Sequence, residues 1–315
     1  MFPQLWDPLL EDAAHEWYAR IFSPAFVFWA GGVLAYYASS TPKVDIIASF
    51  NGLGFEMKLA LAVTCIIILA ASINLMEWLQ LPLLRFLEGY WSSILDPLKD
   101  FLIRHKKAQL KSMEKMRNDL SSRYDELESH EIKEYNRLDS YLSMYPLDKF
   151  YLLPTNFGNI LCSAEEYCLA RYGLEPVTVW PRMWLILPES TKNELQSARQ
   201  DINEKASLFG WSLIFSIWVI WSWWAVILSV LGMVIVYRLG LLPAAAIYGD
   251  LLRSSFDLHR FALYETLRLP LPADPFNEKK DGQGVTQFLR RGMHPDPKLQ
   301  FQHMQPRPKQ PRPKV

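Results

Sequence analysis

The chain has 315 residues, 33 Lys and Arg balanced by 33 Asp and Glu, a half-hydrophobic composition and 12 tryptophans, so it carries no net charge to recruit nucleic acid. Its apolar residues gather at 21–38, 59–76 and 206–248, while 99–149 is dense in charge and the last stretch is rich in proline, which excludes one soluble core and indicates a membrane protein with polar domains. Cys65, Cys162 and Cys168 are odd in number and lack C-x-x-C spacing, so they read as free thiols in a reducing compartment.

In chain order, Leu5, Trp6, Leu9, Leu10, Ala13, Trp17 and Ile21 recur every three to four residues, which predicts an interfacial helix over 1–20. Residues 21–38 follow as a first span. A cleaved signal sequence is the rival reading, set aside because Asp7, Glu11, Asp12 and Glu16 stand where a basic segment belongs. Residues 59–76 contain no charge and make a helix of roughly 27 Å, close to the ~30 Å hydrocarbon core. The stretch 21–76 is therefore expected to be a transmembrane hairpin. Arg104, Lys106, Lys107, Lys111, Lys115 and Arg117 follow it, and the positive-inside rule puts them, and with them the N-terminus, in the cytoplasm.

The stretch 77–205 reads as a cytoplasmic domain. Residues 77–95 keep Leu79, Leu83, Phe86, Tyr90 and Ile94 on one face, interrupted by Glu77, Arg85 and Glu88, and are expected to lie at the interface. From 100 to 145, Leu110, Met113, Leu120, Tyr124, Leu127, Leu138 and Tyr141 fit an a/d stripe that Arg117, Glu131 and Glu134 interrupt. That register favours packing within the domain over a coiled-coil homodimer. The basic cluster can also attract anionic lipid at about 1 kcal/mol per residue, although fixing topology accounts for it. In the next segment Asn156 or Asn159 is expected to cap a helix over 160–171.

Residues 206–247 raise the question of one crossing or two. A single helix over 208–236 would measure roughly 43 Å and overshoot the hydrocarbon by about 13 Å. It would also bury Trp218, Trp221, Trp223 and Trp224 at mid-bilayer, whereas tryptophan collects at interfaces. A second transmembrane hairpin turning at WSWW is expected. The fold class is then an all-α membrane protein with four transmembrane helices in two hairpins, both termini cytoplasmic.

Beyond it, 248–275 reads as a cytoplasmic amphipathic helix on which Asp250, Arg253, Asp257 and Arg260 share an edge. Such a stripe either pairs along itself, or lets Arg253 and Arg260 hold a phosphate or carboxylate against the segment carrying Asn159 and Arg182. The remainder, 276–315, ends in a tandem QPRPK repeat and reads as a disordered, basic, proline-rich tail.

Leu153-Pro154-Thr155, Gly158-Asn159, Tyr172-Gly173-Leu174, Trp180-Pro181-Arg182, Tyr248, Arg253, Phe256-Asp257-Leu258, His259-Arg260, Pro270 and Pro272 together resemble a family of uncharacterised bacterial multi-pass membrane proteins. The resemblance runs from Leu153 to about Pro275 and implies a bacterial inner (plasma) membrane setting. It implies no catalytic residue.

No H-E-x-x-H, G-x-S-x-G or phosphate-loop pattern is present in the sequence. Glu165 and Glu166 beside Cys162 and Cys168 suggest metal ligands, but cysteines six apart fall on different helix faces, and no metal or cofactor is expected. The functional expectation is a non-enzymatic scaffold or sensor domain presented at the lipid bilayer to a protein partner or small ligand. A channel or transporter component is the alternative, and a lipid-headgroup-modifying enzyme comes after it. Asn159, Arg182, Arg253, Asp257 and Arg260 are the candidate site.

Overall fold

The computed structural model describes residues 23–39, 46–293, 295, 296 and 301. The expected interfacial helix over 1–20 and the QPRPK repeats lie outside the described residues. The described residues form helices and no strand. In chain order these are α1 (Pro24–Ala38), α2 (Ile46–Asn51), α3 (Phe55–Glu88), α4 (Asp96–Ser122), α5 (Ser129–Leu142), α6 (Asn156–Tyr172), α7 (Pro176–Ile186), α8 (Glu189–Ile214), α9 (Trp224–Ile235), α10 (Leu242–Leu267) and α11 (Pro275–Arg291). Two units divide the chain: Met1–Trp91 with Gln200–Ala244, and Ser92–Arg199 with Ala245–Val315.

In the first unit, α1 starts at Ser23, whose hydroxyl accepts the Phe26 N–H at 3.3 Å, with Pro24 at the first helical position. Its buried residues are Ala25, Phe28, Gly31, Gly32 and Ala35, a small-residue face on which the chain packs Phe215 and Trp218. A Cβ at Gly31 would overlap the Phe215 ring and one at Gly32 the Trp218 indole, so these glycines set how closely the elements approach. Trp218 Nε1 donates to the Phe28 carbonyl at 3.0 Å, and Trp29 Nε1 to Ser72 Oγ on α3 at 3.1 Å.

The sequence reading divides α3 at residue 76, but the helix continues unbroken to Glu88. Pro82 within it removes one donor without ending it, and Gly89 in the left-handed conformation stops it, with the Gly89 and Tyr90 amides returning to the Arg85 and Phe86 carbonyls. Residues up to Trp91 accordingly belong to the first unit.

The apolar run 206–248 is a helical hairpin. A 3-10 turn, Phe215–Ile220, follows α8, the chain leaves helical geometry at Ser222, and α9 begins at Trp224. Gly232 faces Ser212, the Phe209 and Tyr237 rings lie 6.4 Å apart, and Gly240 faces the Lys205 stem, so the paired residues step outward evenly from Ser222–Trp223. The 3-10 turn lengthens its arm: from Ala206 to Ile220 it reaches about 25 Å, where an α-helix would give about 22 Å. Two helical stretches, the one beginning at Phe55 and the one beginning at Trp224, are long and apolar enough to cross a membrane. Only 6% and 17% of their most apolar windows are buried, so their side chains face outward rather than into a protein core. α1 is apolar but shorter.

In the second unit, α4 and α5 form an intramolecular hairpin. A capping box in which Glu128 and Glu131 exchange bonds with backbone amides starts α5, and Arg117–Asp139 and Arg123–Glu131 pairs, both at 3.2 Å, join the arms. Tyr145 lies beneath with Leu110 and Leu152, and its hydroxyl donates to Asn156 Oδ1 at 3.1 Å. The main core joins Tyr172, Leu174, Val179, Met183, Phe256, Leu263, Tyr264 and Val285, drawn from α6, α7, α10 and α11 and the turn after α6.

That last helix corrects the expectation of a tail without structure from residue 276. Asp274 caps α11 by accepting the Phe276 and Asn277 amides at 2.8 and 2.9 Å, Pro275 takes the first helical position, and Gly292 at φ 73° closes it. The helix docks through Gly282, Gly284, Val285 and Thr286, where Gly282 admits backbone contact, with Glu278 buried beside them and Phe288 and Leu289 packed against the core.

Candidate functional site

The LPT and GN motifs build one helix start. Thr155, not Asn156 or Asn159, is the cap: its Oγ1 accepts the Gly158 N–H at 3.0 Å. Asn159 is fully buried and spends its amide on the preceding turn, Oδ1 accepting from Leu153 N–H at 2.9 Å and Nδ2 donating to the Leu153 and Thr155 carbonyls at 2.8 and 2.6 Å. Arg182 is exposed and donates to the Thr178 carbonyl of its own helix at 2.7 Å. The neighbouring Trp180 stacks on Phe256 at 5.8 Å, which brings the WPR and FDL segments together through their aromatic residues.

The charged stripe of α10 is divided among different partners. Arg253 bonds Asp250 Oδ1 at 2.8 Å, Ser163 Oγ at 2.7 Å and the Ser143 carbonyl at 3.2 Å, so it ties α10 to α6 and to the end of the α4–α5 hairpin. Asp257 faces tyrosines: the Tyr172 hydroxyl donates to its Oδ1 at 2.5 Å, and the Tyr167 hydroxyl lies 3.1 and 3.2 Å from its two oxygens. Arg171 in turn donates to the Tyr167 hydroxyl at 2.9 Å. Arg260 bonds Glu278 Oε1 at 2.5 Å and the Asp257 carbonyl, and lies over the Tyr172 and Phe261 rings at 4.4 and 4.2 Å. The Arg260–Glu278 pair is the more enclosed, with side chains 16% and 10% exposed.

Thus Arg253, Asp257 and Arg260 come together with Tyr167, Tyr172 and Glu278, whereas Asn159 and Arg182 serve other contacts. Both arginines are occupied by protein groups, and the junction fastens α6 and α11 to α10. The YGL motif is its centre. Gly173, at φ 69°, ends α6, and a Cβ there would overlap the Lys279 carbonyl, while one on Gly282 would overlap the Tyr172 carbonyl. Thr286 Oγ1 donates to the Gly173 carbonyl at 3.0 Å and accepts the Glu175 N–H at 3.1 Å, and Arg290 pairs with Glu175.

Electrostatics suit a structural junction. Burial, then the bond to Asp257, pushes the Tyr172 phenol above its ordinary range, so it stays a proton donor. Burial pushes the Cys162 thiol up to about 12, helped by Glu165 and Glu166, and raises Cys168 as well, with Asp257 adding to it; both are protonated at neutral pH. Among the described residues no group of three or more His, Cys, Asp or Glu is placed to hold a metal ion. Tyr167 and Glu278 were not singled out by sequence reasoning, and Tyr172 entered it only as part of the YGL motif. The i, i+5 tyrosine pair on a helix ending at a glycine was the available signal, and Glu278 lay in a segment read as tail. No protein-family model, curated protein or solved structure matches the chain.

Proposed function

We propose that this is a four-span bacterial inner-membrane protein with both termini in the cytoplasm, whose second unit is a scaffold or sensor domain presented to a protein partner. The observation that carries the reading is the antiparallel pairing about Ser222–Trp223 between arms whose apolar side chains face outward. In water such a surface aggregates; in a bilayer it is solvated by lipid, and the backbone is satisfied within each helix. The tryptophans at the turn then sit at the far interface and Arg253, Arg260 and Arg268 follow on the near side. The scaffold reading is supported by the junction on α10, where charged and aromatic groups are used to hold helices together rather than left open around a cavity. The resemblance of the LPT, YGL, WPR and FDL segments to multi-pass membrane proteins agrees with the setting.

Reporter fusions test the topology. Fusions within 40–54 and at Trp223 are expected to report the outer face, and fusions at Lys149 and Val315 the cytoplasm. A cytoplasmic signal at Trp223 would overturn the two-crossing hairpin, and an external signal at Lys149 the orientation.

A further inference from the structure

Three cavities in the first unit meet at Trp211. One of about 380 Å³ is lined by Pro24, Phe28, Trp211, Phe215 and Ser229. A second, about 800 Å³, adjoins it at Pro24, Leu208 and Trp211 and is bordered by Glu77, Gln80, Gln200 and Glu204. The third, about 380 Å³, continues past Phe28 and Trp211 between Trp29, Trp218 and Trp221. Each has a volume in the range of small-molecule sites, and together they offer one polar chamber and two aromatic ones.

Three independent features define what fits. The charged residues of the lining are Glu77 and Glu204, both acidic, and neither has an ion pair with Lys or Arg among the described residues; Glu204 accepts only from Gln200 at 3.2 Å. The aromatic walls are fixed, because the Trp218 and Trp29 indole N–H groups are already bonded to the Phe28 carbonyl and Ser72, and Trp218 stacks on Trp221 at 5.0 Å. Their remaining affinity is that of ring faces, which favours apolar bodies and positive charge. Finally, Ser229 is 1% exposed and its hydroxyl has no hydrogen-bond partner, unlike Ser212, which returns its proton to the Leu208 carbonyl at 2.8 Å. The Ser229 oxygen is buried under the wall and offers a guest no hydrogen bond, so the inner chamber takes an apolar body.

A lipid acyl chain would fill the aromatic chambers but gain nothing from Glu77 and Glu204, which stand exposed at the rim, and a phospholipid would bring its phosphate against them. We propose that these cavities bind a hydrophobic organic cation, its charge beside Glu77 and Glu204 and its apolar body against Trp211 and the tryptophans beyond. This goes beyond the scaffold reading and does not depend on the number of crossings, since binding is measured whatever the orientation.

The probe is tetraphenylphosphonium, with equilibrium binding to the full chain in phosphatidylcholine nanodiscs compared with empty nanodiscs. Saturable binding at one site is expected. Glu77→Gln with Glu204→Gln should weaken it about tenfold, as two screened charge contacts imply, and Ser229→Leu should weaken it by filling the inner chamber. Tetraphenylborate, of like shape and opposite charge, should not compete. Uptake no greater than by empty nanodiscs, affinity unchanged in the double variant, or equal competition by tetraphenylborate would each overturn the proposal. The comparison of the two ions on the unaltered chain decides it even if a variant fails to reconstitute.

Discussion

Asp257→Asn should destabilise the second unit by about 2 kcal/mol. The carboxylate accepts hydroxyl protons from Tyr172 at 2.5 Å and Tyr167 at 3.1 Å, charge-assisted bonds worth roughly 1.5–3 kcal/mol each when enclosed. Asparagine keeps one acceptor oxygen but turns a donor toward the second hydroxyl, so part of the interaction survives. Asp257 is only half-buried, which lowers the estimate further. For a domain of this size about 2 kcal/mol corresponds to a melting temperature roughly 4–8 °C lower. Asp250→Asn is the internal comparison: its side chain is 73% exposed with a single i, i+3 partner, and its loss should cost about 0.3–0.5 kcal/mol. Thermal melts of both variants in one detergent, with Tyr172→Phe alone and combined with Asp257→Asn, complete the measurement. A coupling of about 1 kcal/mol between Asp257 and Tyr172 is expected. Equal, negligible shifts for the two aspartates, or additivity of the Asp257 and Tyr172 changes, would refute the junction.

Gly282→Ala should detach α11, because the new methyl meets the Tyr172 carbonyl and backbone cannot give way; limited proteolysis near residues 275–291 should accelerate several-fold relative to the parent chain. Cys162 should react slowly with a disulfide reagent at pH 8 and faster as the pH approaches about 12. Since its pKa is raised on folding from an ordinary 9.0, its contribution to stability should be intact below pH 9 and fade as pH climbs toward 12, read by melts of the parent chain against Cys162→Ser. Gly32→Val should cost about 2–3 kcal/mol by driving a branched side chain into Trp218, seen as a lower melting temperature with Trp fluorescence shifted to the red.

The helical class was legible because 59–76 and 206–248 are long enough that length and the absence of charge decide their character. The turn at WSWW was legible for a separate reason, the interfacial preference of tryptophan. α3 runs on past residue 76 because the charge at Glu77 ends the apolar stretch but breaks no backbone hydrogen bond. α11 was missed because its apolar face is only Val285, Phe288 and Leu289, a short pattern beside Gly282 and Gly284, although Asp274-Pro275 and Gly292 announce its two ends. At the candidate site the spacing of Asp250, Arg253, Asp257 and Arg260 placed them on one edge, but periodicity says nothing about what approaches that edge. Two tyrosines and a glutamate from other helices turned a prospective anion site into a junction.

The second unit draws its core from two stretches of sequence, Ser92–Arg199 and Ala245–Val315, with the apolar hairpin encoded between them. During synthesis Leu174, Val179 and Met183 emerge long before Phe256, Leu263 and Val285, their partners in the core. The first stretch therefore waits, with its apolar faces open, until the hairpin has been made and disposed of. A ribosome that stalls within 200–244 leaves an unclosed half-domain with those apolar faces exposed. The Gly173–Gly282 contact thus forms only after the whole hairpin and α10 have been made.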